Sequence, residues 1–167
     1  FIETEINPEN PTIYFIGDSI CCTYPRMTPE GATEGWFTQI YKYFDTSRVT
    51  LSDIAISGAT CSTYLDSSGS GYAKWQNALN NMKPGDFVVV SLGQNESGSS
   101  SGFKSKLAAF AEAARAKGGD VIYTTPTIRA TEFPLVNHMA ARTAQIIELG
   151  EEIGATVLDL NTTQWNL

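Results

Sequence analysis

Residues 86–92, Asp86-Phe87-Val88-Val89-Val90-Ser91-Leu92, form a nearly continuous apolar run. A strand with one wet face alternates apolar and polar residues. A run such as this is covered on both faces, as in a parallel sheet flanked by helices. Four further β-rich segments, residues 12–16, 49–56, 121–125 and 156–160, read as strands. Between them apolar residues recur at helical spacing: Trp36, Phe37, Ile40, Tyr41 and Phe44; then Tyr72, Trp75, Leu79 and Met82, stopped by Lys83-Pro84-Gly85. Phe103, Leu107, Phe110 and Ala114 mark a third helix, closed by Gly118-Gly119, and residues 135–149 a fourth. Residues 66–71 and 96–102, rich in Ser and Gly, read as connecting loops. Strand and helix repeated four times and closed by a fifth strand predict an α/β fold. It has five parallel strands, helices on both faces and right-handed crossovers.

No interdomain linker interrupts the 167 residues, so the expectation is a single domain over 1–167. Eighteen acidic against eleven basic residues give a net charge of −7, which argues against nucleic acid and anionic membrane surfaces as partners. No stretch of about 18 apolar residues could span a bilayer. Cys21 and Cys22 follow the first strand and Cys61 follows the second. Three free thiols is the favoured reading, with a bridge from the first pair to Cys61 as the alternative. No Cys/His spacing resembles a metal site, and no cofactor is implied.

In a parallel sheet all strand-to-helix loops lie at one edge, the edge where ligands bind. Three of these loops carry chemistry: Gly17-Asp18-Ser19 after the first strand, Ser57-Gly58-Ala59-Thr60 after the second, and Gly93-Gln94-Asn95-Glu96 after the third. Acyl transfer needs a nucleophile, for which Ser19 is placed, and fixed donors for the oxyanion that develops on the carbonyl. Gly58 permits a backbone N–H to point into the site, and Asn95 offers a side-chain N–H. Asp18 is expected to orient the serine turn through backbone hydrogen bonds. Trp36 and Trp75 fall on helical stripes and read as core.

Those three blocks, in order at the ends of the first three strands, resemble the signature blocks of the SGNH (GDSL-type) hydrolases. The stretches 12–19, Gly35-Trp36, 55–60, 83–90 and Gly93-Gln94-Asn95 are similar to the rhamnogalacturonan acetylesterase branch. The resemblance spans residues 12 to about 160. It implies a flavodoxin-like three-layer α/β/α fold and a secreted serine esterase that removes O-acetyl groups from plant cell-wall polysaccharide or oligosaccharide. By the match, Ser19 is the nucleophile, and the Ser19 N–H, the Gly58 N–H and the Asn95 side chain hold the oxyanion.

Two departures stand out. Gln94 and Glu96 flank Asn95 where the branch often has His and Asp. The family's closing Asp-x-x-His block has no counterpart, and the chain's single histidine, His138, lies elsewhere. A serine hydroxyl without a base is a poor nucleophile. Four expectations follow. The chain lacks a C-terminal segment, final helix included, that carries the Asp and His. Alternatively, His138 serves as base; otherwise it reads as a surface polar residue at the loop edge, with a substrate-rim contact second. Alternatively, a second chain or a preceding segment completes the site. Lastly, the domain is a degenerate carbohydrate-binding form without catalysis.

Overall fold

Five strands lie parallel in the order β2-β1-β3-β4-β5: β1 (Thr12–Gly17), β2 (Thr50–Asp53), β3 (Phe87–Ser91), β4 (Asp120–Thr124) and β5 (Thr156–Leu158). The computed structural model describes residues 10–23, 35–97, 100–128 and 136–167. The helices are α1 (Trp36–Ile40), α2 (Cys61–Leu65), α3 (Tyr72–Asn81), α4 (Ser100–Arg115), α5 (Ala140–Ile153) and α6 (Leu160–Trp165). This is the expected flavodoxin-like arrangement.

The period of two sorts the side chains. Tyr14, Val88 and Val121 stand in register, as do Ile16, Val90 and Tyr123 on neighbouring strands. These face the larger core, shared with Tyr64 of α2, Trp75 of α3, Phe110 of α4 and Ile146 of α5. Phe15 and Val89 point to the opposite face and pack with Phe37 of α1, with Trp36 and Ile40 against them. Phe15 and Phe37 meet with ring centroids 4.5 Å apart. Trp75 is buried, as its stripe predicts, whereas Trp36 is only partly so.

Several elements depart from the sequence reading. The single helix expected between β2 and β3 is two, α2 and α3, joined through residues 66–71. β2 is shorter than residues 49–56, although Ile54 and Ile56 still donate N–H bonds to Phe15 and Gly17 of β1 at 3.0 and 3.1 Å. The first helix ends at Ile40 and tightens into a 3₁₀ turn over Tyr41–Tyr43. The fourth runs Ala140–Ile153; Leu135, where it was expected to begin, lies outside the described residues, as do residues 98–99 of the loop before α4.

The expected want of a helix after β5 is corrected by α6, six residues long. Asp159 caps it by accepting the Thr162 N–H at 3.1 Å, a role an aspartate fills readily. All three cysteines are free and buried, in agreement with the favoured reading.

The strand order places the site. From β1 the chain steps outward to β2, then returns to add β3 on the other side of β1. The loops leaving β1 and β3 therefore part over a crevice at the carboxyl edge, the position that binds ligands in open α/β sheets.

Candidate active site

The turn carrying Ser19 is held from several directions. Asp18, 1% exposed, accepts the Ile20 N–H on its carboxylate at 2.9 Å. Its carbonyl accepts from Cys21 and Cys22 at 3.1 and 3.0 Å. Asp18 thus orients the serine turn as its position predicts. The carbonyls of Ile20 and Cys21 in turn accept the Trp36 and Phe37 N–H groups, docking the first turn of α1 on the serine turn. Thr23, a little further on, binds the Asp53 carboxylate at the end of β2 through both its N–H (2.9 Å) and its hydroxyl (2.6 Å). Gly17 must be glycine: a β-carbon there would sit 2.6 Å from that of Cys21. The Gly17 carbonyl is bound by the Tyr64 hydroxyl at 2.7 Å. Ser19 itself is half-buried, so it is fixed without being sealed off.

Gly58 is the third residue of a turn closed by Ala59 N–H to Ile56 C=O at 3.1 Å. Its φ of +76° is what that position of a type II turn demands. A β-carbon on Gly58 would meet nothing within 4 Å, so this backbone borders open space. From the loop after β3, Asn95 reaches over and donates a side-chain N–H to the Ala59 carbonyl at 3.1 Å. A carboxamide has two N–H groups, so a second donor remains for a ligand oxygen. Glu96, the next residue, accepts the Cys61 N–H at the start of α2 at 2.5 Å.

Between the β1 and β3 loops lies a small open cleft lined by Asp18, Ile20, Cys21, Ser91, Leu92, Gln94, Pro126 and Thr127; Ser19, Gly58 and Asn95 are not among its lining residues. Gln94 crosses it, its side-chain N–H bound to the Thr127 carbonyl after β4. Ser19, Gly58 and Asn95 therefore sit on three loops that share one edge. The β2 and β3 loops are joined directly, and the serine turn is tied to β2 through Thr23 and Asp53.

His138 is placed differently. It is exposed, in the turn entering α5. Its neighbour Asn137 donates to Asn161 at 2.6 Å, and Asn161 donates to the Pro126 carbonyl at 3.0 Å, bracing the far wall of the cleft. No contact among the described residues joins the His138 ring to Ser19. An exposed ring in this turn is what the reading of His138 as a surface polar residue describes.

Burial governs the ionisation of the thiols here. Desolvation pushes Cys21 up to about 12, and it donates a weak bond to the Ser91 carbonyl at 3.7 Å. Desolvation, then the Glu96 charge, raises Cys61. Both stay neutral thiols at physiological pH. Among the described residues no group of three or more His, Cys, Asp or Glu comes together to hold a metal, and no helix is long and apolar enough to cross a membrane.

The sequence reading missed the Glu96 contact and the Thr23–Asp53 tie. Both join residues 30 or more apart in the chain, and no local pattern announces them.

A five-stranded parallel sheet in this order, with the serine turn after β1 and the asparagine loop after β3, is the flavodoxin-like fold of the SGNH hydrolases, and the chain's structural neighbours are SGNH/GDSL hydrolases. No family model matches the chain. Among particular proteins it is similar to the uncharacterized esterase YxiM of Bacillus subtilis, 29% identical over 161 residues. The match covers 91% of this chain and 41% of YxiM. The crystal structure of YxiM superposes with a TM-score of 0.78 at 30% identity, over 92% of this chain and 44% of that one. The chain thus spans well under half the length of this relative. The psychrotrophic esterase EstA from Pseudoalteromonas sp., in a structure inhibited by monoethylphosphonate, shares the fold with a TM-score of 0.64 at 19% identity (90% of this chain, 77% of that one). Axe2, an acetylxylan esterase from Geobacillus stearothermophilus, does so with 0.66 at 16% (95% and 80%).

Proposed function

We propose that this chain carries the nucleophile and oxyanion side of a secreted, serine-dependent carboxylic ester hydrolase that acts on O-acetyl groups of plant cell-wall polysaccharide. The observation that carries the reading is the Asn95–Ala59 bond, which sets an amide donor beside the open Gly58 backbone at the edge where Ser19 stands half-buried.

In the reaction, the Ser19 hydroxyl oxygen attacks the ester carbonyl carbon and its proton passes to a general base. Charge gathers on the carbonyl oxygen, within reach of the Ser19 and Gly58 N–H groups and the free Asn95 N–H. Donors fixed in advance need no reorganisation as that charge develops, and each contributes about 2.7–4 kcal/mol to lowering the barrier. The tetrahedral intermediate collapses, the sugar alkoxide leaves and takes the proton from the base, and acetyl-Ser19 remains. Water, activated by the same base, releases acetate and restores the hydroxyl.

The base is a histidine oriented by an aspartate, supplied from outside the cleft by a further segment or a second chain. The acetylated sugar rests on the resemblance of the motif-bearing stretches to rhamnogalacturonan acetylesterases. A chain of net charge −7 is indifferent to a neutral sugar.

One observation favours a second reading, a carbohydrate-binding domain without turnover: the only histidine is not joined to Ser19. Acetate release from acetylated xylo-oligosaccharides separates the two. The esterase releases acetate, and Ser19→Ala abolishes it. A binding domain retains oligosaccharide affinity with no acetate in either form.

A further inference from the structure

We infer that Glu96 is a positioning residue that fixes the Asn95 amide for its role in the oxyanion site; this rests on the esterase reading given above. Residues 95 and 96 make two consecutive bonds across to the β2 loop. Asn95 donates to the Ala59 carbonyl at 3.1 Å, and Glu96 accepts the Cys61 N–H at 2.5 Å.

Helix α2 does not require Glu96 as a cap. Thr60 and Thr63 form a reciprocal capping box, with the Thr60 N–H bound to the Thr63 hydroxyl at 3.0 Å and the Thr63 N–H bound to the Thr60 side chain. The N–H that Glu96 takes belongs to Cys61, which the box leaves over. The contact therefore serves the loop rather than the helix. The loop is gripped from its other side by Arg142 of α5, whose guanidinium lies 4.9 Å from the Phe103 ring centroid and donates to the Glu96 carbonyl at 3.4 Å. Lys106 of α4 holds the Ser62 hydroxyl at 2.7 Å, so α4 and α2 cannot drift apart beneath it.

Without the carboxylate, the Asn95 side chain keeps one neutral bond across to the β2 loop, at Ala59, while the Arg142 bond to the residue-96 carbonyl and the Gln94 bond to Thr127 hold the loop only from the α5 and β4 side. A charge-assisted bond is the stronger of the two and sets the distance between the loops. Glu96 touches no reacting atom; it acts through Asn95.

The test uses nitrogen-resolved NMR of the Asn95 side-chain amide together with p-nitrophenyl acetate hydrolysis. In the unaltered chain one Asn95 amide proton is protected from exchange by Ala59. Glu96→Ala is expected to reduce that protection roughly tenfold and to lower kcat by about the same factor, with KM within about twofold and circular dichroism unchanged. Glu96→Gln, which still offers an acceptor to Cys61, recovers most of both. Glu96→Met keeps length and packing without an acceptor, and replaces the alanine variant if that one does not fold. Unchanged Asn95 exchange in a folded Glu96→Ala or Glu96→Met variant overturns the inference, as does a shift in exchange with kcat untouched. If the protein, with the segment or second chain that supplies its base present, hydrolyses no ester, or Ser19→Ala hydrolyses it equally well, the esterase reading fails instead, and the exchange measurement still decides whether Glu96 sets Asn95.

Discussion

Asn95 and Ala59, 36 positions apart in the chain, are joined by one hydrogen bond of 3.1 Å from side-chain amide to backbone carbonyl. That bond links the loops after β3 and β2 and uses one of the two amide protons of Asn95. Asn95→Ala removes both donors. We expect kcat for ester hydrolysis to fall by about 10²–10³. Unfolding free energy should drop by only about 1 kcal/mol, the net value of one neutral hydrogen bond. Steady-state kinetics and urea melts measure the two effects, and a loss of stability without loss of kcat would remove Asn95 from the site.

Gly58 separates backbone strain from steric clash. A β-carbon there meets nothing, yet φ is +76°. Gly58→Ala should therefore cost about 1–2 kcal/mol through the left-handed conformation alone, read from the urea midpoint at constant slope. A neutral or stabilising result would mean that the turn relaxes to another type.

Tyr64 ties α2 to the end of β1. Its hydroxyl donates to the Gly17 carbonyl at 2.7 Å and lies 3.2 Å from that of Ile54. The Gly17 carbonyl also accepts from Ile56, so Tyr64→Phe leaves it with a partner. The expected cost is about 1 kcal/mol, below the 1–3 kcal/mol of a stranded buried acceptor. Thermal unfolding of the variant checks the difference.

Cys21 and Cys61 are buried, and desolvation holds their thiols neutral. Native protein at pH 8 should react with iodoacetamide at neither, and both should react once urea unfolds the chain. Cys21 also sets an alkaline limit. Its folded pKa, about 12, lies above the unfolded value, so its contribution is full below the unfolded pKa and is lost as pH rises toward 12. Rapid labelling of the folded chain at pH 8 would contradict the burial.

Asp159 sets the acid limit. Burial acts to raise its pKa, but hydrogen bonds from Thr162 and from the Thr125 hydroxyl together outweigh it, and the carboxyl sits below its ordinary value. A depressed folded pKa stabilises fully above the unfolded value, near 4, and the contribution disappears as pH falls through the folded one. The stability difference between the unaltered chain and Asp159→Asn should be present at pH 6 and shrink below about pH 4, as followed by urea melts across pH.

What was legible in the sequence follows from range. The apolar run at Val88, Val89 and Val90 announced a covered central strand because successive residues enter a helix-covered core on each face, Val88 and Val90 on one side and Val89 on the other. Gly17-Asp18-Ser19, Gly58 and Asn95 were legible because the topology of a parallel sheet delivers all strand-to-helix loops to one edge. Helix α2 was not, because five residues from Cys61 to Leu65 complete too little of a period to register. Nor was α6, where the cap at Asp159 was the sole signal. The Glu96–Cys61 contact spans 35 positions and depends on how two loops meet in space. His138 lies exposed in the turn entering α5, and no pattern in the sequence tells a surface imidazole there from a reacting one.

The central claim is that Ser19 is the nucleophile, activated by a base that a further segment or second chain supplies, and phosphonylation of the protein with that base present tests it most directly. After incubation with a p-nitrophenyl alkylphosphonate, intact-mass spectrometry should show a single adduct, peptide mapping should place it on Ser19, and Ser19→Ala should carry none. An adduct on another residue, or an unmodified Ser19 in a preparation that hydrolyses esters, would contradict the account.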